Sequence, residues 1–350
     1  IYRKPAAKKI YMIAGWYQWA NAGQVSSGIP LYLINRLRAR VVALIKPQGF
    51  YLSQIPYLRS LLRPYGYVRE GTVLRIVEPS NEFYHARPRG TGWVIFLGEE
   101  PHLNVEAYAD AFLDVAQMLG VRRIVAVGGA YAPVPYDRER AIGGVVSKWD
   151  LRTELLELGV RPLDYEGAIS ISTYLVEKAW VRGIEFMALY AWVPAYNVKK
   201  ALPEPGVHIE EDYRAWCDIL RRVNDMFGLR LDLSDLEQQG EELTASMAAR
   251  VEEVDREHPE LGIRRLVDRI RGKIPQIRLT LTCVLTGRRI CRKTGWTRNC
   301  ATSWTAWTGR PGPTGLRDLR SPRTASAQFA HPAAFRQPPS PLRFGERGME

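Results

Sequence analysis

Trp93-Val94-Ile95-Phe96-Leu97-Gly98-Glu99-Glu100-Pro101-His102 and, further on, Arg123-Ile124-Val125-Ala126-Val127-Gly128-Gly129-Ala130 decide the fold. Each opens on an apolar run without a polar break, the pattern of a strand buried on both faces of a parallel sheet. Between them Val105, Tyr108, Ala109, Phe112, Val115, Ala116 and Leu119 recur on one helical face, with Asn104 as the expected N-cap and Gly120 as the stop. The three segments predict one βαβ unit whose strands are parallel neighbours at the centre of a sheet, with helices on both faces. The Glu-Glu-Pro-His and Gly-Gly loops then leave the same carboxyl edge, where open α/β sheets bind ligands.

Working outward, Ile10, Met12 and Ile13 mark a first strand that runs into a loop from Gly15 to Gly23. Val25 to Leu37 follows as a helix with Pro30 in its first turns. Glycines between a strand and a helix can cradle a phosphate, but the Gly-x-Gly-x-x-Gly spacing and the Walker lysine are absent. A tight turn where glycine permits close packing is the favoured reading. Arg40 to Lys46 is a second strand, carried by Val41, Val42, Leu44 and Ile45, and partial alternation in Tyr67 to Glu78 predicts antiparallel pairing. Asn81 to Arg87, polar and aromatic, follows before the central βαβ unit. Gly143 to Ser147 and Tyr165 to Ser170 read as short strands, Asp150 to Leu158 as a helix capped by Asp150, and Ser172 to Arg182 as another helix. Phe186 to Val193 is the last strongly apolar strand. The rest is helical: Tyr213 to Phe227 closed by Gly228, a helix opened by the capping box Ser234-Asp235-Leu236-Glu237, and Leu261 to Ile270. Sparse apolar residues on these helices suggest partial burial or a subunit contact, with solvated helices the commoner case.

The net charge of +12 is not spread evenly. Residues 278–350 hold twelve Arg, one Lys and three acids (Asp318, Glu346, Glu350), a net of +10, against 36 basic and 34 acidic residues before them. The first 277 residues are therefore nearly neutral, and nucleic acid is not an expected partner. The tail has no Tyr, three of the four Cys, and Trp296, Trp304 and Trp307 without periodicity. A basic arm, a disordered extension and a reading-frame shift near Gln276 all fit, and the frame shift is favoured. Its cysteines lack any Cys-x-x-Cys pair, which argues against zinc. No apolar run is long enough for a membrane span and no signal-peptide core opens the chain, so a cytoplasmic location is expected. The chain begins at Ile1 rather than Met, and a start upstream is expected. The division expected is an α/β domain over 1–205, a C-terminal helical extension over 206–274, and a disordered or frame-shifted tail over 275–350.

Six stretches in order carry a resemblance: Gly15-Trp16 to Ala22-Gly23, Asn81-Glu82-Phe83-Tyr84, Leu97 to His102, Gly128-Gly129, Tyr165-Glu166-Gly167 and Trp192-Val193-Pro194-Ala195-Tyr196. Over Lys8 to Ile270 the chain resembles the PAC2 family, relatives of the proteasome assembly chaperones. The resemblance implies a three-layer α/β/α fold with a mostly parallel sheet, similar to nucleoside phosphorylases, assembled as a homo-oligomer and extended by C-terminal helices. It implies protein partners, proteasome-related among them, and a chaperone-like role without a cofactor. The family's proteasome-docking members end in a hydrophobic residue, a Tyr and one last residue, whereas this chain ends Gly348-Met349-Glu350. The acidic residue frequent in the first loop of the family is Asn21 here, which weakens a metal reading.

Candidate ligand-binding residues are Gly15, Asn21, Gly23, Glu99, Glu100, His102, Gly128, Gly129 and Glu166. No catalytic or metal-ligating residue is assigned. Two carboxylates beside an imidazole suit acid–base chemistry, but adjacent residues on an extended segment point apart. Trp16, Trp19, Tyr131, Tyr136, Tyr165 and Tyr196 are expected in loops, as a protein-contact surface or an apolar pocket. Cys217 reads as core. A non-catalytic interaction subunit is expected; the alternative is a small-molecule-binding protein or a hydrolase- or phosphorylase-like enzyme at the sheet edge. A closed concave site would favour the enzyme, a filled and shallow edge the subunit.

Overall fold

The apolar runs become strands because helices cover both faces of the sheet they form. The computed structural model describes residues 1–5, 7, 9–17, 19–52, 65–196 and 207–273. In chain order come β1 (Ile10–Tyr17), α1 (Val25–Arg36), β2 (Arg40–Leu44), β3 (Tyr65–Arg69), β4 (Thr72–Val77) and β5 (Asn81–Ala86). Then follow β6 (Gly92–Glu99), α2 (Val105–Met118), β7 (Val121–Ala132), β8 (Ile142–Val146), α3 (Leu151–Glu157) and β9 (Arg161–Pro162). The chain continues with α4 (Ile171–Val181), β10 (Glu185–Tyr196), β11 (Val207–His208), α5 (Tyr213–Phe227), α6 (Ser234–Glu257) and α7 (Ile263–Lys273). These elements belong to one compact unit, Ile1–Ile277. Among the described residues no helix is long and apolar enough to cross a membrane.

Among the described residues the main sheet has nine strands in the order β2-β5-β6-β1-β7-β10-β8-β9, with β11 paired to β10. The central strands β6, β1, β7 and β10 run parallel, and β5 and β8 flank them antiparallel. Three-layer α/β/α is therefore the architecture. One expectation is corrected: β6 and β7 are not neighbours, because β1 lies between them, with Ile13 opposite both Ile95 and Val125. Met12, Ile13 and Ala14 are fully buried, so β1 is as apolar on both faces as the strands it separates. The α2 crossover steps over it.

Alternation along the strands supplies the two cores. One face packs Ile13, Ile95, Val125 and Leu189 against α1, α3 and α5; the other packs Met12, Phe96, Ala126 and Phe186 against α2 and α4. The C-terminal helices join the first core. Trp216 of α5 lies over Gly28 of α1, where a Cβ would stand 2.0 Å from Trp216 Cζ2. Leu236, Met247, Val251, Val254, Ile263, Val267 and Ile270 of α6 and α7 are all buried. Their sparse stripe is thus covered within the chain.

Several local expectations are also corrected. Asn81 to Ala86, which carries no apolar run, is nevertheless a strand, β5, paired antiparallel with both β2 and β6. No strand forms at Tyr165 to Ser170; β9 takes the place beside β8, and this segment leads instead to the N-cap of α4, Ser170. Asn104 precedes α2 in a left-handed conformation (φ 51°) and its amide donates to Gly49 O at 2.8 Å, so it does not cap the helix with its side chain. Asp150 makes no capping hydrogen bond. Ser234 is already helical, and its N–H is taken by Asp232 Oδ1 at 3.1 Å, so no capping box forms. The readings of residues 275–350 lie outside the described residues.

Candidate functional site

At the carboxyl edge of the sheet Glu100 joins two loops. β6 ends at Glu99, and the Glu100 carboxylate accepts hydrogen bonds from the backbone N–H of Trp19 at 3.2 Å and of Ile171 at 2.7 Å. Ile171 opens α4, so the carboxylate lies at the positive end of that helix. Burial nevertheless raises its pKa, and the two N–H bonds offset only part of the rise. Next to it the Tyr190 hydroxyl meets those of Ser170, Ser172 and Thr173 at 2.9, 2.8 and 2.6 Å. The space left is a cavity of about 110 Å³, lined by Glu100, Pro101, Val105, Ile169, Ser170, Ile171 and Tyr174. That is below the roughly 300–1,000 Å³ usual for small-molecule pockets. An open cleft of about 820 Å³ between α6 and α7 is lined mainly by charged side chains such as Arg250, Glu253, Arg256 and Arg264, and lies apart from the edge.

The glycines of the edge are occupied by protein. A Cβ on Gly15 would stand 1.7 Å from Ser26 O, and one on Gly129 would stand 2.2 Å from Ala22 O. Gly128 meets the Tyr190 ring, and Gly129 N–H donates to Ala20 O at 2.8 Å. Gly23 has φ +60°, and its carbonyl accepts from Trp216 Nε1 at 3.0 Å and Asp212 N at 2.9 Å. Asn21 Oδ1 accepts from Ser27 N at 2.9 Å, satisfying an open donor in the first turn of α1.

Glu99 and Glu100 face different neighbours. Glu99 lies toward Tyr51 and His102; burial raises the Tyr51 pKa, and the Glu99 charge adds to that rise. His102 Nδ1 accepts from Leu52 N at 3.2 Å, and burial lowers its pKa despite Glu99. Behind Glu99, Asn81 Oδ1 accepts from the Tyr51 and Tyr108 hydroxyls, each at 2.9 Å. The structure thus brings Glu100 together with the loop of Asn21 and with Gly128 and Gly129. His102 stands on the Tyr51 side, and Glu166 is exposed on the loop before α4, outside the cavity lining. Of the aromatics expected in loops, Trp16, Tyr136 and Tyr196 are buried instead, while Trp19, Tyr131 and Tyr165 are exposed. Trp16 belongs to β1, Tyr131 to the end of β7 and Tyr196 to β10 rather than to loops, and the rings of Trp16 and Tyr196 serve the core.

A buried ion pair beside this edge was not legible in the sequence. Arg140 and Asp212 have side chains 1% and 0% exposed, joined at 2.7 Å through Nε and at 3.2 Å through a second guanidinium N–H. Arg140 also donates to the carbonyls of Pro135, Tyr136 and Arg138, while Asp212 Oδ1 accepts from Ala215 N at 3.1 Å and caps α5. Asp218 takes the Arg140 backbone N–H at 2.8 Å. Burial, reinforced by Glu139, pushes the Asp218 carboxyl up to about 6, against the pull of that N–H, Arg222 and Arg221.

The folded state therefore holds a proton on Asp218 at pH values where the unfolded chain, at about 4, has released it. Stability is expected to fall as pH rises from about 4 to 6, by up to about 3 kcal/mol from this group. Urea unfolding of Asp218→Asn should show that slope removed; an unchanged slope would place the titration elsewhere. Cys217 is buried and its thiol is pushed up to about 11, which suits packing rather than nucleophilic attack. Among the described residues no group of three or more His, Cys, Asp or Glu is placed to hold a metal.

The sequence model of the PAC2 family matches residues 16–251. A solved PAC2 family protein from Streptomyces avermitilis has a TM-score of 0.60 at 23% identity, covering 69% of this chain and 95% of that one. A proteasome-assembly chaperone homologue from Mycobacterium tuberculosis has a TM-score of 0.59 at 23% identity, covering 69% and 94%. An archaeal proteasome activator from Pyrococcus furiosus has a TM-score of 0.50 at 22% identity, covering 72% and 97%. At these identities the likeness is one of fold. No curated protein matches the chain.

Proposed function

This chain belongs to the PAC2 family, and on that premise we propose that it acts as a non-catalytic protein-interaction subunit of the assembly-chaperone kind. The observation that carries the reading is the filled carboxyl edge. Where a phosphorylase-like site would receive an anion at a helix N-terminus, Glu100 already supplies the acceptor for Ile171 and Trp19. Where backbone glycines would let a ligand approach, Gly128 and Gly129 meet Tyr190, Ala20 and Ala22. On this reading the candidate residues shape a surface, and partners dock on it from the cytoplasm.

Two of the similar structures are a proteasome-assembly chaperone homologue and a proteasome activator, so proteasome subunits are the first partners to try. The test mixes the purified full chain with the proteasome subunits of its own source cell. Co-migration on gel filtration is expected. Saturable binding of nucleosides or phosphate without any protein partner would overturn the reading. A variant separates the roles further. Glu100→Ala leaves two backbone donors without an acceptor and is expected to lower stability by about 1–3 kcal/mol. An unchanged melting temperature would favour a ligand role for Glu100.

A further inference from the structure

The hairpin β3–β4 turns its apolar side chains to solvent. It forms a separate two-stranded sheet, turned by Glu70 and Gly71, both at positive φ. Val68, Val73, Leu74 and Ile76 are 65, 60, 62 and 59% exposed. Ile76 lies opposite Gly66 and Val73 opposite Val68, and a bulge leaves Leu74 between them. The register therefore gathers the four aliphatic side chains on one face. Arg75, opposite Tyr67, falls on the other face with Arg69. A two-stranded hairpin is marginal in water unless its apolar face is covered, and residues 65–77 contain neither Lys nor Pro to blunt the strand edges.

We propose that this hairpin is a self-association arm, on which a second copy of this chain stacks the same face about a two-fold axis. An uncharged aliphatic face carries no charge pattern for a distinct partner, and a two-fold axis makes it its own complement while keeping both arginines outside. The four aliphatic side chains present about 300 Å² of apolar surface per copy, while Tyr67 lies with Arg75 on the outer face. At the roughly 65% apolar share of homodimer interfaces, two such faces correspond to about 900 Å² of buried area, near the lower limit for specific pairing. The dimer is accordingly concentration-dependent.

This deepens the subunit reading by naming one contact, and the two fail separately, because gel filtration with proteasome subunits does not depend on the hairpin's state. Sedimentation velocity of the full chain over a wide concentration range tests it. The wild type should pass from monomer to dimer, whereas Leu74→Glu should stay monomeric with an unchanged melting temperature, since that side chain faces solvent. Mixing Leu74→Glu with Leu74→Lys should restore the dimer through opposite charges across the axis. If Leu74→Glu does not fold, Ile76→Thr should weaken association several-fold without a change in melting. A wild type that is monomeric throughout, an oligomer insensitive to these substitutions, or no recovery on mixing would each overturn the proposal.

Discussion

Asp212→Ala is expected to destabilise the fold by about 3–5 kcal/mol, the usual cost of removing one partner from a buried ion pair. The substitution leaves the Arg140 guanidinium, 1% exposed, facing only carbonyl oxygens on its remaining N–H groups. It also removes the acceptor for Ala215 N, so α5 loses its N-cap at the point where it docks on Gly23 and Gly28. Urea unfolding monitored by circular dichroism measures the loss. Arg140→Met combined with Asp212→Leu should recover most of it, because the cost lies in the stranded charge more than in the absence of the pair. A single-variant loss below about 1 kcal/mol would mean that water reaches the guanidinium.

Gly15→Ala carries the second large effect. The added methyl would stand 1.7 Å from Ser26 O and 2.8 Å from Pro30 Cγ, and the first of these is backbone. Pro30 has no N–H, so the Ser26 carbonyl lacks its helical donor and turns no ladder bond inward. On the same turn Trp16 N donates to Ser26 Oγ at 2.8 Å, which holds strand and helix at this separation. Relief requires α1 to move off β1 and to open the core around Ile13 and Ile29. A loss of about 3 kcal/mol or more is expected, at the upper end for overpacking. Thermal melting of the purified variant decides it. Wild-type melting would show that α1 can shift freely, and that Gly15 is needed for something other than packing.

How much of this was legible follows from which contacts have local signatures. β6, β7 and β10 could be read because strands covered on both faces must be apolar throughout, and α2 and α5 because their buried faces repeat with the helical period. The turn at Gly120 and the stop at Gly228 could be read because left-handed backbone favours glycine. The alternation of Tyr67 to Glu78 was visible in part, and the structure made a hairpin of Tyr65–Val77.

The amino-acid sequence by itself thus determined the types of the central strands and of the long helices, the two-faced burial of those strands, the nearly neutral charge of the first 277 residues and the family resemblance. Tertiary structure alone decided the order of strands across the sheet, for a strand's apolar pattern says that it is central without saying beside which neighbour. It decided that Trp16, Tyr136 and Tyr196 are core, since an aromatic just beyond an apolar run reads the same whether its ring turns to solvent or folds back onto the sheet. It decided the partners of Arg140 and Glu100 as well. Asp212 is 72 residues from Arg140, and Ile171 is 71 from Glu100. A lone arginine or glutamate in a loop has no period or spacing to announce such a partner. Only when the chain closes do burial and the demand that buried polar groups be paired select one carboxylate, or one backbone N–H, from the many available.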